Sequence, residues 1–313
     1  MATTECLRNA THVEEFLLLG LHILPEWKPV LFVVFLTIYL ITVAGNSLIV
    51  VTVSASHHLH SPMYFFLCNF SFLEIFYSTC TAPIMLSGLL KEGATISFAG
   101  CLMQFYLFIG LLTSECFLLT VMAYDRYNAI CFPLHYTTLM ERRLCLMLVV
   151  GSWLWGFAPA FPTVILLFRL HFSGRYEIDH FFCDFEPLLK TACSDTSSIR
   201  VYAFVMSFIV LPIPFLLIIV SYAFIISAIL KIPSATGRRK AFSTCSSHLA
   251  VVTTFFGPLI AIYATPTVES SRTLIKGLSL LYCVATPLLN PFIYTLRNTE
   301  IRETWRKAFY KMS

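Results

Sequence analysis

Apolar residues gather along this chain into seven long stretches separated by short polar segments. They lie near Pro29 to Val53, Met63 to Leu90, Cys101 to Ile130, Leu144 to Leu167, Val201 to Ile229, Leu249 to Ala264 and Leu274 to Leu296. About 20 apolar residues in helix cross the roughly 30 Å of hydrocarbon in a bilayer, so the pattern predicts seven spans. The sixth has the shortest apolar run and is expected to recruit the more polar Ala241 to His248. Prolines recur inside the stretches at Pro83, Pro159, Pro162, Pro212, Pro214, Pro258, Pro287 and Pro291. Each removes a backbone hydrogen bond and bends its helix, which neighbouring helices in a bundle tolerate. After Leu296 the period changes: Ile301, Trp305, Phe309 and Met312 alternate with Arg302, Arg306, Lys307 and Lys311. That spacing predicts a short amphipathic helix on the membrane surface. The expected fold class is an all-α membrane protein, with a tail at 1–28, a seven-helix bundle at 29–296 and an amphipathic tail helix at 297–313.

Composition strengthens the membrane reading. Hydrophobic residues make up 58% of the chain and charged residues 12%, with a mean hydropathy of +0.78, more apolar surface than a soluble fold of 313 residues could hide. The charges are also sorted by side. Lys and Arg gather in Arg142-Arg143, Lys231 to Lys240 and Arg297 to Lys311, whereas the alternate connections carry Glu14, Glu15, Glu26, Asp179, Asp184, Glu186 and Asp195. The positive-inside rule then predicts an extracellular N-terminus and a cytosolic C-terminus in the plasma membrane. A net charge of +4 is a mark of topology here and gives no reason to expect a nucleic-acid partner. Glu5, Arg8, Glu14 and Glu15 precede Trp27, so the first span is expected to target itself without a signal peptide.

On the outer side, Asn9-Ala10-Thr11 is a glycosylation sequon, while Asn69-Phe70-Ser71 has the same pattern inside a span. The longest loop, about Phe168 to Arg200, holds Cys183 and Cys193, and Cys101 opens the third span on the same face. An outer disulfide is chemically permitted, and joining Cys101 to Cys183 would close a loop worth a few kcal/mol in the chain-entropy model. His180-x-x-Cys183-Asp184 offers imidazole, thiolate and carboxylate to a copper or zinc ion, unless Cys183 is oxidised.

Polar residues inside the stretches carry the chemistry. Glu74 and Glu115 are mid-membrane acids whose cost in lipid turns them toward the bundle interior, where two carboxyls either share a proton or admit a cation such as sodium. Asn46, Asn290 and Tyr294 extend that polar interior. Asp125 and Arg126 sit where the third stretch runs out, as either a latch or a simple anchoring pair.

Gly45-Asn46, Asp125-Arg126-Tyr127 and Asn290-Pro291-x-x-Tyr294 together resemble rhodopsin-like G-protein-coupled receptors, each motif on the expected span. Pro62 to Leu67, Met122 to Ile130, Lys240 to Leu249 and Pro287 to Pro291 further resemble the signatures of odorant receptors, with the tetrapod class II branch the better match. The resemblance covers nearly the whole chain. It implies that small volatile molecules bind in the outer half of the bundle and that a stimulatory heterotrimeric G protein is activated on the inner face, raising cyclic AMP. By family position the pocket should include Phe105, Phe108, Ile109, Leu112, Thr113, Met206, Ser207, Val210, Phe256, Leu259 and Tyr263. Helical spacing puts Phe105, Phe108, Ile109 and Leu112 on one face, as packing or as pocket wall, and Thr113, Ser207 and Tyr263 would supply the few hydrogen bonds. The resemblance also implies a switch: Arg126, held by Asp125 at rest, is freed as the sixth helix swings about Pro258, and Tyr222 and Tyr294 then turn inward. The segments from Tyr127 to Arg143 and from Lys231 to His248 would border the G-protein opening.

Two departures from the family pattern stand out. The residue ten before Cys183 is Ser173, so Cys193 lacks its customary partner and is either a free thiol or paired with Cys6; and Phe256 replaces the familiar sixth-helix tyrosine. A transporter using Glu74 and Glu115 is the rival reading, but the internal repeats and paired broken helices typical of that class are not evident. No His-Glu-x-x-His, nucleophile-base or phosphate-loop motif suggests an enzyme, and no cofactor is expected apart from the possible sodium ion.

Overall fold

A computed structural model describes residues 13–21, 23–91, 93–172, 176–265, 272–297, 300–304 and 306. Seven helical segments are long and apolar enough to cross a bilayer: Pro25–Ala55, Pro62–Leu90, Phe98–Cys131, Arg142–Phe168, Ser197–Leu230, Ala235–Tyr263 and Thr273–Tyr294. They correspond one for one to the apolar stretches and are called the first to seventh spans below. Two-thirds of the third span's apolar window is buried against 17% for the first and fifth, so the third is the central strut and the others wrap it.

Local chemistry sets the ends and bends. Ser97 begins the third span by accepting the Gly100 N–H at 3.1 Å, and Ser234 begins the sixth by accepting the Gly237 N–H at 3.2 Å, each filling an orphan donor of the first turn. The sixth helix runs unbroken over Ala235–Ala264, which confirms that the polar segment from Ala241 to His248 is part of it. Proline acts unevenly. The fourth span divides into Arg142–Phe157 and Ala160–Phe168 at Pro159, and the fifth into Ser197–Val210 and Pro212–Leu230, but Pro83, Pro258 and Pro291 sit within continuous helices. The seventh passes through a π-helical turn at Leu281–Ala285 between Arg272–Leu280 and Thr286–Arg297.

Two glycines permit close approach. A Cβ on Gly45 would stand 3.0 Å from that of Pro291, so glycine lets the first and seventh spans close on one another. Gly156 presses against the Ser114 backbone and hydroxyl, so any larger residue would push the fourth span off the third.

One end of the bundle is covered by a small lid. Strand β1 (Glu15–Leu18) pairs antiparallel with β2 (Ala94–Ser97) and parallel with β3 (Glu177–Ile178). Phe16, Leu18, Phe172, Ile178 and Leu188 form their own apolar cluster around Cys101 and Cys183, which are joined by a disulfide with Cα atoms 5.5 Å apart. Lys276 of the seventh span, 6% exposed, fastens this lid by donating to Asp179 Oδ1 at 2.5 Å and to the Gly20 carbonyl at 3.3 Å. The opposite, basic end carries a one-turn helix at Tyr136–Leu139. Residues 300–304 there are helical, with Ile301 fully buried and Glu300 accepting the Tyr64 hydroxyl at 2.7 Å. Trp305, Phe309 and Met312 lie outside the described residues, as do Cys6, Asn9 and Ser173.

Candidate ligand pocket and switch

The expected pocket residues separate into three groups. Phe108, Ile109, Leu112, Phe256 and Leu259 join the main core, with Phe256 packed against Phe215 and Phe255 at ring distances of 5.1 and 5.0 Å. Phe105, on the same helical face as Phe108, belongs instead to the lid cluster and stacks on Phe185. Met206, Ser207 and Val210 are partly buried, Thr113 is buried, and Tyr263 is 63% exposed. The Ser207 hydroxyl donates to the Phe204 carbonyl of its own helix at 2.8 Å. Phe108 is more than a wall residue: its ring lies against Tyr77 of the second span, Tyr282 of the seventh and Phe182 of the lid segment. One aromatic side chain therefore touches three elements that would have to move together.

Below this layer lies the polar interior. Asn290 donates to Glu74 Oε1, and Asn46 donates to the carbonyls of Thr42 at 3.0 Å and Pro287 at 3.2 Å. Glu74 and Glu115 lie close enough for each to feel the charge of the other. Yet among the described residues Glu74 Oε2, both Glu115 oxygens, Asn46 Oδ1, Asn290 Oδ1 and the Tyr294 hydroxyl find no hydrogen-bond partner, although all are buried. Neither carboxylate can donate to the other, so an orphaned set of this kind calls for a proton or a cation between the acids. Nearly all these oxygens are hard donors, suited to a small alkali cation and unsuited to a soft metal. The five residues come from the first, second, third and seventh spans, with Asn290 joining the seventh to the second and Asn46 joining the first to the seventh.

At the basic end the residues expected to form the switch lie near one another, with differences from expectation. His248 of the sixth span joins three helices: its Nε2 lies 3.0 Å from the Leu119 carbonyl of the third span and its Nδ1 lies 2.9 Å from the Tyr222 hydroxyl of the fifth. Asp125 does not clasp Arg126. Its Oδ1 accepts the Tyr136 hydroxyl at 2.6 Å, and among the described residues the two neighbours form no ion pair. Adjacent residues on a helix diverge by about 100°, which carries Asp125 toward the one-turn helix and Arg126 toward the bundle axis. There Arg126, 9% exposed, exerts its charge on Tyr222, His248 and Tyr294. Tyr222 and Tyr294 are buried, 5% and 9% exposed. The partners Tyr136 and Leu119 were not foreseen. A phenol three residues after Phe132-Pro133 in a basic loop was the available signal for the first, whereas a backbone carbonyl leaves none.

Two cysteine expectations are resolved at the lid. Cys193 is disulfide-bonded, which removes the free-thiol alternative, while Cys6 lies outside the described residues. Cys183 is oxidised, so its thiolate is lost to any metal, and no cluster of three ligating His, Cys, Asp or Glu occurs among the described residues. His180 is instead buried against Phe181 and Phe182, and among the described residues neither ring nitrogen has a hydrogen-bond partner. Burial, with the Lys276 charge adding to it, lowers its pKa to about 3, so it is neutral in the closed lid.

Comparison with known proteins follows the same lines. The family model described as olfactory receptor matches residues 35–312. Among similar proteins, human olfactory receptor 11A1 is 51% identical over 94% of this chain and 93% of its own length. Human olfactory receptor 11L1 is 49% identical over 96% and 94%, and rat olfactory receptor 1468 is 47% identical over 97% and 96%.

Proposed function

The chain belongs to the olfactory receptor family, and on that premise we propose that it binds small, mostly apolar volatile molecules beneath the lid and activates a stimulatory heterotrimeric G protein, raising cyclic AMP. As a member of this family it is a multi-pass membrane receptor for odorants and not an enzyme. In the proposed orientation the lid is extracellular and the basic end, with the C-terminus, is cytosolic. The ligand would sit among Phe108, Ile109, Leu112, Thr113, Met206, Ser207, Val210, Phe256, Leu259 and Tyr263, with Phe105 roofing the site through Phe185.

The observation that carries this reading is the His248 junction. The sixth span presents Phe256 and Leu259 to the proposed pocket and, two to three turns away, His248 to the third and fifth spans. A ligand that displaces the pocket half of that rigid helix must disturb the junction, and the open arrangement would expose Arg126, Tyr127 and the segment to Arg143 to a helix of the G protein. Ligands act here by binding one arrangement better than the other, about 1.4 kcal/mol for each tenfold preference. Glu74 and Glu115, with Asn46, Asn290 and Tyr294, would hold a sodium ion or a shared proton that favours the resting arrangement, since their orphaned oxygens suit either.

Transfected cells test the reading. Volatile-dependent cyclic AMP production should appear with the native chain and vanish in Arg126→Ala at equal surface expression. Solute flux without G protein, or a response that survives Arg126→Ala, would overturn it.

A further inference from the structure

Many hydroxyls within the spans close on their own helix. Thr37, Thr52, Ser78, Thr79, Ser152 and Thr253 each donate to the carbonyl four residues back, at 2.6 to 2.8 Å. Thr42 of the first span and Thr81 of the second do not. They are 2% and 3% exposed, yet among the described residues neither hydroxyl makes a hydrogen bond.

Both side chains line the same crevice, which has a volume of about 20 Å³. Tyr39, Ser78, Cys283 and Pro287 also line it, so the first, second and seventh spans meet there. About 10 to 15 Å³ of such space holds one water molecule, whereas a drug-sized ligand needs about 300 Å³ or more, so the crevice fits a single water-sized occupant. The wall offers more than the two hydroxyls. Pro287 has no N–H, so the Cys283 carbonyl one turn earlier lacks its α-helical donor. The Thr286 N–H, which closes the π turn, goes to the Leu281 carbonyl instead. A hydroxyl both donates and accepts, so two threonines and one carbonyl supply the three partners that a buried water ordinarily has.

We propose that this crevice is a water-binding site: one ordered water bridges the hydroxyls of Thr42 and Thr81 and the Cys283 carbonyl, and braces the π turn of the seventh span against the first two spans. The turn is a place where the seventh span meets the core. Tyr282 packs on Phe108 at a ring distance of 6.2 Å, and Cys283 Sγ lies 3.9 Å from the Tyr77 hydroxyl. One turn further along, Asn46 joins the first span to the seventh directly, through the Pro287 carbonyl. A lipid chain in the crevice would leave both threonine hydroxyls unsatisfied, which is costly in a buried site. The inference holds whatever ligand the receptor takes.

The test uses the full-length chain purified in detergent. Thr42→Val and Thr81→Val keep the side-chain shape and remove one hydroxyl each. With a bridging water, each change should lower the melting temperature by about 2 to 4 °C. The double variant should fall by less than the sum, because the first loss already frees the water. A dry or lipid-filled crevice reverses the sign, since valine then relieves a buried hydroxyl that bonds to nothing. Radiolytic labelling, in which bound water is the source of the oxidant, reads occupancy without a stability measurement. Met85 and Cys283, both buried on the crevice wall, should be oxidised in the native chain and protected in the double variant. A melting temperature that holds or rises in either single variant, or full additivity in the double, would overturn the inference. So would resistance of Met85 and Cys283 to labelling in the native chain, or equal labelling in the double variant. Labelling of the native chain decides the matter even where a variant cannot be purified.

Discussion

Replacing His248 with phenylalanine should convert the receptor from quiet to partly active. The imidazole makes two hydrogen bonds, one to the Leu119 carbonyl and one to the Tyr222 hydroxyl, and both tie the sixth span to helices it would leave on opening. A buried hydrogen bond contributes about 0.5 to 1.5 kcal/mol net, so losing two removes about 1 to 3 kcal/mol from the closed arrangement alone. That shifts the closed-open equilibrium about 5- to 150-fold, so a resting open population of about 1% would rise to between about 5% and 60%. Phenylalanine is somewhat larger than the imidazole, so it leaves no cavity, and His248→Leu serves as a smaller control that deletes the same two bonds. Tyr222→Phe leaves the Leu119 bond in place while deleting the bond to His248 and a long one at 3.4 Å to the Cys245 carbonyl, and should also raise basal output. The assay is basal cyclic AMP without ligand, divided by surface receptor measured on an N-terminal epitope. Basal output that stays flat in His248→Phe at equal surface level would refute the reasoning.

Other outcomes follow from the lid and the helix contacts. His180 has a pKa of about 3 in the closed lid against an ordinary 6.5, so the closed lid is fully favoured above pH 6.5 and loses that stability as pH falls toward 3. At pH 5 the loss is roughly 2 kcal/mol, read as faster hydrogen exchange over 177–184, and His180→Phe should abolish the pH dependence while keeping the lid closed. Gly156→Val should drive the fourth span from the third and abolish surface expression, because its side chain has no room beside Ser114; normal expression and signalling would show that this contact is not close. Cys101→Ser should cost about 2 to 5 kcal/mol by opening the lid disulfide, measured as a lower melting temperature of the detergent-purified protein.

The spans were legible because a bilayer reads composition directly: each apolar stretch became a helix, and even the polar start of the sixth, Ala241 to His248, was recoverable. The interior acids were legible for the same reason, since Glu74 and Glu115 have nowhere favourable to go except toward each other. The lid was not. Its strands are Glu-Phe-Leu-Leu, Ala-Thr-Ile-Ser and Glu-Ile, too short to show a period of two, and they pair across about 80 and 160 residues of chain. Lys276 likewise reads as an ordinary polar residue near a helix start, and only the fold reveals that Asp179 and Gly20 converge on it. The motif Asp125-Arg126 invited a pairing by adjacency, but helical geometry separates neighbours, and Tyr136 took the acid. Phe105 and Phe108 share a face by spacing and still part company, because the lid segment descends between the helix ends and divides that face into a roof and a wall.

The central claim is that the pocket and the basic end are coupled through the sixth span. It is tested most directly by the distance between genetically encoded fluorophores at Arg142 and Arg239, both exposed at the basic end. The account predicts that a volatile which raises cyclic AMP lengthens that distance, and that His248→Phe lengthens it without ligand. A distance that stays fixed while the same ligand raises cyclic AMP would contradict it.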